Sequence, residues 1–500
     1  MHRPYESRAR RGFEMRDYLL FYVNGKEHRV SGDSAFMPLS SYLRYEQGAT
    51  GTKVVCEEGD CGACSVILGR VEIVAPENNG ATKSDIQYRV VNSCIQFLYQ
   101  LDCTHVVTIE GLKYSGKLNP VQEAMVACHG AQCGYCTPGF VVAMCAMFDQ
   151  KPCTKEQDVK DGLIGNLCRC TGYEPIIKAG MSVDADHLLK LHELYPSKEM
   201  LRAFSEHSKN AVLIGTEEHT FFNPTDLDSA VKFKGERPGT VIVAGGTDVC
   251  VYWNKRGMEP RNLMSVSHLP GLRELTLSHN ELVVGARTTL SELEDFTRDT
   301  LPELHKMLWL FGSPQIRNAG TLAGNIANAS PIADTLPFLH VIEAEIELFG
   351  TKGSRRVNIN KFYQGYKQLD MSADEMITQI IIPLPAPEEI VKLYKVSRRQ
   401  NLDISSFTAA FRLKLSAGKI ERISIAYGGV APVIVRLRKT EDFLAGKPLE
   451  LDILEEAGDI AVSEISPISD VRGSSDFRNT LAANILKKLY FETKTAEVTA

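Results

Sequence analysis

The sequence predicts a multidomain α+β protein. With 500 residues the chain is longer than a single hydrophobic core usually supports, so several domains are expected. Some segments alternate apolar and polar residues, as strands do, and others begin with helix-capping residues. These two kinds of segment follow one another in blocks, which is typical of α+β domains. The composition is ordinary, at 44% hydrophobic and 24% charged residues, so each block can bury a core. Eight of the 13 cysteines fall in two groups, and each group marks a small domain of its own.

The first domain, residues 17–108, is predicted from a hairpin and a cysteine loop. Residues 19–23 and 26–30 form strands joined by the two-residue turn Asn24-Gly25. Four cysteines follow with the spacing C-x4-C-x2-C…C: Cys56, Cys61, Cys64 and Cys94. This is the spacing of plant-type [2Fe–2S] ferredoxins. Zinc rarely uses a four-residue gap within one tight loop together with such a distant fourth ligand.

The second domain, residues 109–191, is predicted to be helical and to hold a second cysteine group. One C-x2-C pair and one C-x-C pair make up this group: Cys133, Cys136, Cys168 and Cys170. Helices are expected to begin at Pro120 and Pro138, because proline is favoured in the first helical turn. The cysteine pairs then lie in turns between helices, where Gly134 and Gly172 let the backbone approach a metal closely.

Three interpretations of the second cysteine group compete. Disulfides are disfavoured, because nothing in the chain looks secretory and cytosolic thiols stay reduced. Structural zinc and iron–sulfur ligation suit four thiolates about equally when this stretch is taken alone. The ferredoxin spacing upstream favours iron–sulfur ligation. The remaining cysteines are interpreted as core or incidental residues: Cys103, Cys128, Cys145, Cys153 and Cys250.

The third domain, residues 211–388, follows a polar stretch at 192–210 that is predicted to be a linker. A strand at 241–243 runs into a turn with the sequence Ala-Gly-Gly-Thr-Asp, whose N–H groups can approach a pyrophosphate. Such a turn is weak evidence alone, since most Gly-Gly pairs are only turns. Residues 317–334 are dense in small and hydrogen-bonding side chains. They form either a tightly packed loop or a surface moulded to a nucleotide.

The fourth domain, residues 389–495, combines alternating strands with helices and shows no catalytic constellation of its own. No G-x-G-x-x-G motif occurs in the chain, so a Rossmann site is not supported. The net charge of −6 gives no indication of nucleic-acid binding, and no apolar run is long enough for a transmembrane helix. The arginine-rich residues 1–14 are expected to be a disordered leader or to precede a true start at Met15. A cytoplasmic protein is expected.

The chain from about residue 17 onward resembles the small, iron–sulfur and flavin subunits of bacterial xanthine dehydrogenases, in the molybdenum hydroxylase family. Both cysteine groups carry the resemblance, together with the turn at 245–248, the stretch 320–334 and the segment 395–399. The resemblance implies four domains in order. They are a β-grasp plant-type ferredoxin domain, a helical-bundle [2Fe–2S] domain, an α/β FAD-binding domain of the vanillyl-alcohol-oxidase-like type, and a C-terminal α+β domain like that of the CO dehydrogenase flavoprotein.

The resemblance also implies the cofactor contacts. The eight clustered cysteines would bind two [2Fe–2S] clusters. FAD would be contacted by Val243, Ala244, Gly245, Gly246, Thr247, Asp248, Val249, Phe311, Thr321, Leu322, Ala323, Gly324, Asn325, Asp334, Ile377 and Lys395. Gln132 and Cys170 match positions that lie against the molybdopterin of a partner chain. Two departures stand out: Ala323 replaces a glycine and slightly crowds the flavin loop, and Glu174 replaces a common arginine near the second cysteine group.

The implied function is electron transfer within an NAD-dependent xanthine dehydrogenase. Hypoxanthine or xanthine would be oxidised to urate at molybdenum in a separate large subunit, with no catalytic residue in this chain. Electrons would pass through both clusters to FAD and on to NAD+, in a heterodimer or heterotetramer. Two alternatives remain open. One is a related molybdenum hydroxylase acting on aldehydes, other N-heterocycles or carbon monoxide, and the other is a non-enzymatic iron–sulfur carrier or zinc-bound scaffold.

Overall fold

The computed structural model describes residues 15–74, 83–151 and 155–499. The proposed leader at 1–14 and Cys153 lie outside these described residues. The predicted multidomain α+β architecture is confirmed, with separate sheets and separate groups of helices along the chain. Within the described ranges, no helix is both long and apolar enough to cross a membrane.

The first domain is built on a mixed sheet with the strand order β2-β1-β5-β3-β4. The predicted hairpin is confirmed, and both Asn24 and Gly25 adopt the positive φ that a tight two-residue turn requires. β1 pairs parallel with β5, which places the start of the domain in its centre. The elements are β1 (Leu19–Val23), β2 (Lys26–Val30), α1 (Leu39–Ser41), β3 (Ser65–Val74), β4 (Lys83–Asn92) and β5 (Thr104–Val107).

The second domain is helical, as predicted. Asn119 caps its first helix by accepting a hydrogen bond from the Gln122 N–H, so the Asn-Pro start is confirmed. The second helix is buried along most of its length, because Phe140 to Phe148 are all apolar and covered on every side. The helices are α2 (Pro120–Ala127), α3 (Thr137–Gln150), α4 (Glu156–Gly162) and α5 (Glu174–Met181).

The predicted linker at 192–210 is not an extended connector. It contains most of α6 (Leu191–Leu194) and all of α7 (Lys198–His207). Met200 and Phe204, four residues apart on one face of α7, are 4% and 1% exposed and belong to the core shared by the first two domains. The polar residues lie on the other face, which explains why overall composition suggested a linker.

The third domain contains two main sheets and a two-stranded sheet formed by β14 and β15, and the predicted nucleotide turn follows β8 of the smaller main sheet. The smaller main sheet has the order β6-β7-β9-β8, with β8 parallel to β9, and the larger is antiparallel with the order β10-β11-β16-β12-β13. Its elements are β6 (Val212–Gly215), β7 (Thr220–Asn223), α8 (Leu227–Glu236), β8 (Val241–Val243), α9 (Val249–Arg256), β9 (Asn262–Ser265), β10 (Leu275–Ser278), β11 (Glu281–Gly285), α10 (Leu290–Thr300), α11 (Pro302–Trp309), α12 (Pro314–Arg317), α13 (Leu322–Asn328), α14 (Leu336–Ile342), β12 (Glu345–Gly350), β13 (Gly353–Asn358), α15 (Ile359–Phe362), β14 (Tyr363–Gly365), β15 (Gln368–Leu369) and β16 (Met376–Pro383).

The fourth domain is an antiparallel sheet covered by helices, with the strand order β17-β18-β19-β20. The alternating strands and the helices predicted here are confirmed. They are β17 (Glu389–Val396), β18 (Phe407–Ser416), β19 (Lys419–Gly428), β20 (Val435–Arg436), α16 (Arg438–Leu444), α17 (Leu451–Ser463) and α18 (Ser475–Thr499). Aromatic rings of the sheet, such as Phe411 and Tyr427, pack beneath these helices in one core.

Candidate functional site

The inner cysteine group, defined as Cys56, Cys61, Cys64 and Cys94, converges at one end of the first domain. The Cys61 N–H donates to the Cys56 sulfur at 3.4 Å, and Cys64 lies within hydrogen-bonding reach of Cys94. Hydrogen bonds from Cys61 and Cys94 lower the pKa of Cys56, which favours a thiolate there. Cys64 and Cys94 are each 2% exposed, so this group is largely enclosed by protein.

The outer cysteine group, defined as Cys133, Cys136, Cys168 and Cys170, lies in the two turns between helices where it was expected. The sulfurs of Cys133 and Cys170 are 3.7 Å apart, and both residues are exposed. Cys136 contacts Cys168 in the same way, deeper in the turns. Burial alone would raise the pKa of Cys168, but the hydroxyl and N–H of Thr171 both donate to its sulfur, and the pKa is lowered overall.

The sulfur geometry fits two-iron clusters better than single zinc ions. Four thiolates around one zinc would lie mutually within about 3.8 Å, since Zn–S bonds are about 2.3 Å long in a tetrahedron. Among the described residues, no three of these eight sulfurs lie within 4.8 Å of one another. The outer sulfurs meet in two pairs, and the inner sulfurs form an open series in which Cys94 contacts both Cys56 and Cys64. Such elongated arrangements suit two bridged irons, each held by two thiolates. Gly134 and Gly172 have φ of 80° and 69°, so the turns need glycine at both positions.

A single backbone hydrogen bond connects the two cysteine groups. The N–H of Leu167, next to Cys168 of the outer group, donates to the carbonyl of Cys61 at 3.0 Å. Asn166 reinforces this connection by donating to the Gly62 carbonyl at 3.0 Å. Gln315 of the third domain in turn donates to the Asn166 side chain at 2.9 Å. Three domains therefore meet, fully buried, at the inner cysteine loop, and no sequence motif had marked Asn166 or Gln315.

The predicted nucleotide turn lies on the opposite side of the inner cysteine loop. It leads into α9, and Asn254 of this helix donates to the carbonyls of both Cys94 and Glu57, at 2.9 and 3.0 Å. Gly246 has φ of 71°, and a side chain at Gly245 would collide with the Ala319 carbonyl. Asp248 precedes α9 without a side-chain cap, and the Cys250 N–H at the second helical position donates to the Gly246 carbonyl at 2.9 Å. The turn itself, with its two glycines, suits the close approach of a diphosphate.

The remaining predicted FAD contacts surround the start of α13. Thr321 caps this helix by accepting from the Gly324 N–H, and Asn325 accepts from Thr335. Leu322, Ala323 and Ile377 belong to the main core of the third domain, with Phe311 packed against it. Asp334 and Lys395 form an ion pair at 2.7 Å whose side chains are 8% and 2% exposed. The structure thus brings together side chains from the third and fourth domains at a place the sequence stretch 317–334 had indicated.

A cavity of about 500 Å³ separates the inner cysteine loop from the third and fourth domains. Glu58, Gly59 and Asp60 form one wall, and Gly312 and Ile316 form the second. Arg398, Arg399 and Asp403 complete it from the fourth domain. The side chain of Asp403 accepts from the backbone and side chain of Arg399, which orders this loop. The cavity is large enough for the planar rings of a cofactor or a second nucleotide.

Each of the four domains matches the model of a known protein family. Residues 21–98 match the 2Fe-2S iron-sulfur cluster binding domain, and residues 108–205 match the [2Fe-2S] binding domain. Residues 216–385 match the FAD binding domain in molybdopterin dehydrogenase, and residues 392–493 match the CO dehydrogenase flavoprotein C-terminal domain. The chain belongs to the molybdenum hydroxylase family. Within this family it is an electron-transfer portion, carrying two [2Fe–2S] domains and an FAD-binding domain.

Individual relatives within the family differ in what their names say they act on. Xanthine dehydrogenase 1 of Arabidopsis thaliana is 30% identical over 94% of this chain, and aldehyde oxidase 1 of Bos taurus is 29% identical over 95%. The chain spans 39% of the length of each of these relatives. A solved carbon monoxide dehydrogenase chain from Hydrogenophaga pseudoflava is 27% identical, with a TM-score of 0.52, covering 54% of this chain and 94% of that one.

Proposed function

We propose that this chain transfers electrons within an NAD-dependent xanthine dehydrogenase, as its iron–sulfur and FAD subunit. A partner large subunit would carry the molybdenum cofactor and oxidise hypoxanthine or xanthine to urate. Electrons would then cross the helical domain, the ferredoxin-like domain and the FAD domain, and reach NAD+. FAD would accept electrons one at a time from the clusters and pass two electrons together, as a hydride, to NAD+. The eight clustered cysteines would hold the irons, and no residue of this chain would touch the purine.

The observation that carries this proposal is the linear order of the three cofactor regions. The outer cysteine group is at the surface, the inner group lies one backbone hydrogen bond behind it, and α9 lies directly behind the inner group. Leu167 makes the first connection and Asn254 the second. The outer group is thus connected to the inner group and the inner group to α9, and the helical domain also contacts the third domain directly through Asn166 and Gln315. Stepwise transfer of single electrons needs such a continuous series of contacts. A protein that binds zinc only for structural reasons does not need its metal sites and its nucleotide site to be arranged in series.

The exposed side of the outer cysteine group is suited to a partner chain. Cys133, Cys170 and Gln132 are exposed there. Tyr135 and Tyr173 flank them and are 47% and 39% exposed, so two aromatic rings lie beside the exposed thiols. Aromatic residues beside an exposed cluster are what a protein interface typically contains. This face would meet the molybdenum subunit, with Gln132 and Cys170 nearest its molybdopterin.

The acceptor side of the proposal rests on the cavity beside the inner cysteine loop. It adjoins Gly312, next to the predicted flavin contact Phe311, so a nicotinamide could lie against a flavin ring there. Arg398 and Arg399 line the same cavity and offer positive charge to the phosphates of a dinucleotide. NAD+ is accordingly proposed as acceptor, and substrate choice is assigned to the partner.

Co-expression with the large subunit tests the division of labour. The chain alone should oxidise NADH with an artificial dye but should not oxidise xanthine, and the complex should form NADH from xanthine. Gln132→Ala should slow xanthine-dependent dye reduction about tenfold or more while NADH oxidation stays unchanged, because the substitution lies only at the molybdenum side. Gln157→Ala, on an exposed position of α4, is the matched control and should leave both rates unchanged.

Three outcomes of this experiment would change the proposal. Xanthine turnover by the chain alone would refute the division of labour. Dye reduction without NAD+ reduction in the complex would remove NAD+ as acceptor and leave the electron route intact. A co-purified partner that oxidises aldehydes or another N-heterocycle, but not xanthine, would reassign the substrate to another branch of the family.

A further inference from the structure

A second cavity, of about 530 Å³, lies at the opposite end of the third domain's contact with the first domain. We call it the arginine cavity. Arg70 of β3 forms one wall, Phe204 of α7 the next, and His268 and Arg287 of the third domain the rest. None of the cysteines in the two cysteine groups contributes to it. Its walls come from the first domain, from α7 and from the third domain, so only the assembled fold creates it.

Three arginines line the arginine cavity, and only Arg273 forms ion pairs with carboxylates among the described residues. Arg273 is paired with both Glu72 and Glu292, at 2.5 Å from each. Within the described parts of the chain, the Arg70 side chain makes no hydrogen bond or ion pair, and the Arg287 side chain donates only to the Leu269 carbonyl. Burial and the neighbouring charge of Arg273 lower the pKa of Arg70 to about 10 and that of Arg287 to about 9, and the Glu292 carboxylate offsets only part of this effect at each.

His268 adds an unsatisfied polar side chain to the same cavity. Its side chain is 6% exposed, and neither ring nitrogen has a hydrogen-bond partner among the described residues. Nε2 lies 3.3 Å from the Asp102 carboxylate without hydrogen-bond geometry. That carboxylate is already engaged by Arg16 and by the Leu20 N–H. The electrostatic contact with Asp102 offsets part of the cost of burying this imidazole, and both ring nitrogens remain available to a ligand in the cavity.

The remaining lining is suited to phosphate oxygens. Ser265, Thr289 and Thr321 contribute hydroxyl groups, and the cavity reaches Ala244 and Gly245 at the beginning of the nucleotide turn. Planar guanidinium groups recognise phosphate oxygens in a fork-like geometry. We propose that the arginine cavity binds a phosphate-bearing anion, with Arg70, Arg287 and His268 as its ligands. The volume is sufficient for a nucleoside diphosphate.

Two sources can supply this chemistry. One is the diphosphate half of FAD itself, because the nucleotide turn forms part of the wall; this source rests on the FAD assignment made above. The other is a free organic phosphate that binds between the domains while FAD occupies its own site. In the first case the three ligands are FAD-binding residues contributed partly by the ferredoxin-like domain, and in the second they form a separate effector site.

The test uses the full-length FAD-loaded chain with ADP as the probe. Isothermal titration measures ADP affinity, and flavin absorbance after gel filtration measures FAD retained per chain. Arg70→Met and Arg287→Met should each weaken the phosphate interaction at least about tenfold, the effect of losing a hydrogen bond to a charged group. Arg202→Met is the matched control, since Arg202 lies on α7 beside the cavity but is 83% exposed. Arg70→Lys keeps the charge but loses the guanidinium fork, so it should restore only part of the interaction.

The two measurements together identify the source. ADP binding that only the cavity variants lose, with FAD retained, shows a separate site. Absent ADP binding together with faster FAD loss from the cavity variants shows that the diphosphate of FAD occupies the cavity. If ADP affinity and FAD retention are the same in the cavity variants and in Arg202→Met, the proposal is wrong. Thermal unfolding checks that each variant is folded. Neither measurement uses xanthine-dependent activity, so the result does not depend on whether the proposed electron-transfer function is correct.

Discussion

At the scale of single residues, the ion pair between Asp334 and Lys395 ties the fourth domain to the third. Both side chains are almost fully buried, and the pair is completed by further hydrogen bonds. Ser405 donates to the second carboxylate oxygen at 2.6 Å, and the Lys395 ammonium also donates to the Leu310 carbonyl. A buried pair of this kind adds little net stability when intact, but it is costly to break because one charge is left unpaired.

Lys395→Met should therefore destabilise the chain by about 3–5 kcal/mol, the usual cost of leaving one partner of a buried pair behind. Urea unfolding monitored by circular dichroism measures the loss. The double variant Lys395→Met with Asp334→Asn should recover part of it, because the buried negative charge is gone. Arg298→Met provides the control: its pair with Asp295 is exposed on both sides, so a change below about 1 kcal/mol is expected. Equal losses in both single variants would contradict this interpretation.

At the scale of elements, the nucleotide turn is held in place by the loop before α13. A Cβ added at Gly245 would lie 1.8 Å from the Ala319 carbonyl oxygen, which is backbone and cannot move aside cheaply. A Cβ at Gly246 would lie 2.4 Å from the amide nitrogen of Gln100, in the first domain. The two glycines thus allow β8, α9 and the α12–α13 connection to meet without a gap.

Gly245→Ala should separate these elements and distort the turn. The expected cost is about 1–3 kcal/mol, as for other overpacked sites, accompanied by loss of FAD from the purified chain. Differential scanning fluorimetry and the flavin-to-protein absorbance ratio measure the two effects. Gly215→Ala is the matched control, because a Cβ there meets nothing within 4 Å and its φ is ordinary. Full FAD content in Gly245→Ala would show that the turn does not contact the cofactor.

At the scale of the whole molecule, the two cysteine groups differ in access to solvent. Cys133 and Cys170 of the outer group are exposed, whereas Cys64 and Cys94 of the inner group are buried beneath three domains. If each group holds a two-iron cluster, the purified chain should contain about four irons. The inner cluster should also be protected from small molecules that reach the outer one.

An iron chelator should consequently remove iron in two phases. About two irons per chain should leave quickly and the remainder slowly, as followed by the coloured iron–chelator complex. Cys136→Ser identifies the phases: it should remove the fast phase and one electron paramagnetic signal, and leave the slow phase unchanged. Cys145→Ser, at a buried cysteine outside both groups, is the control and should keep about four irons. Stoichiometric zinc, or a single phase of iron release, would contradict the proposed pair of clusters.

The cluster-binding cysteines and the glycine turn could be predicted from the sequence because both depend on the geometry of residues that are close together in the chain. Cys56, Cys61 and Cys64 lie within one loop, and a loop of that length can surround a cluster only with residues at those positions. The same holds for Gly246, whose positive φ belongs to the turn itself. Helix starts such as Asn119-Pro120 are equally local, and they too were predicted correctly.

By itself, then, the sequence determined the domain types, the two cysteine groups and the turn expected to hold a nucleotide. Only the tertiary structure decided how these parts follow one another in space. The buried contact between Gly62, Asn166 and Gln315 joins residues more than one hundred positions apart, and no local sequence pattern predicts it. The arginine cavity has the same origin, since Arg70 and Arg287 are unremarkable on their own strands and loops. Such sites depend on how the surfaces of different domains pack against one another, and the spacing of residues along the chain does not predict that packing.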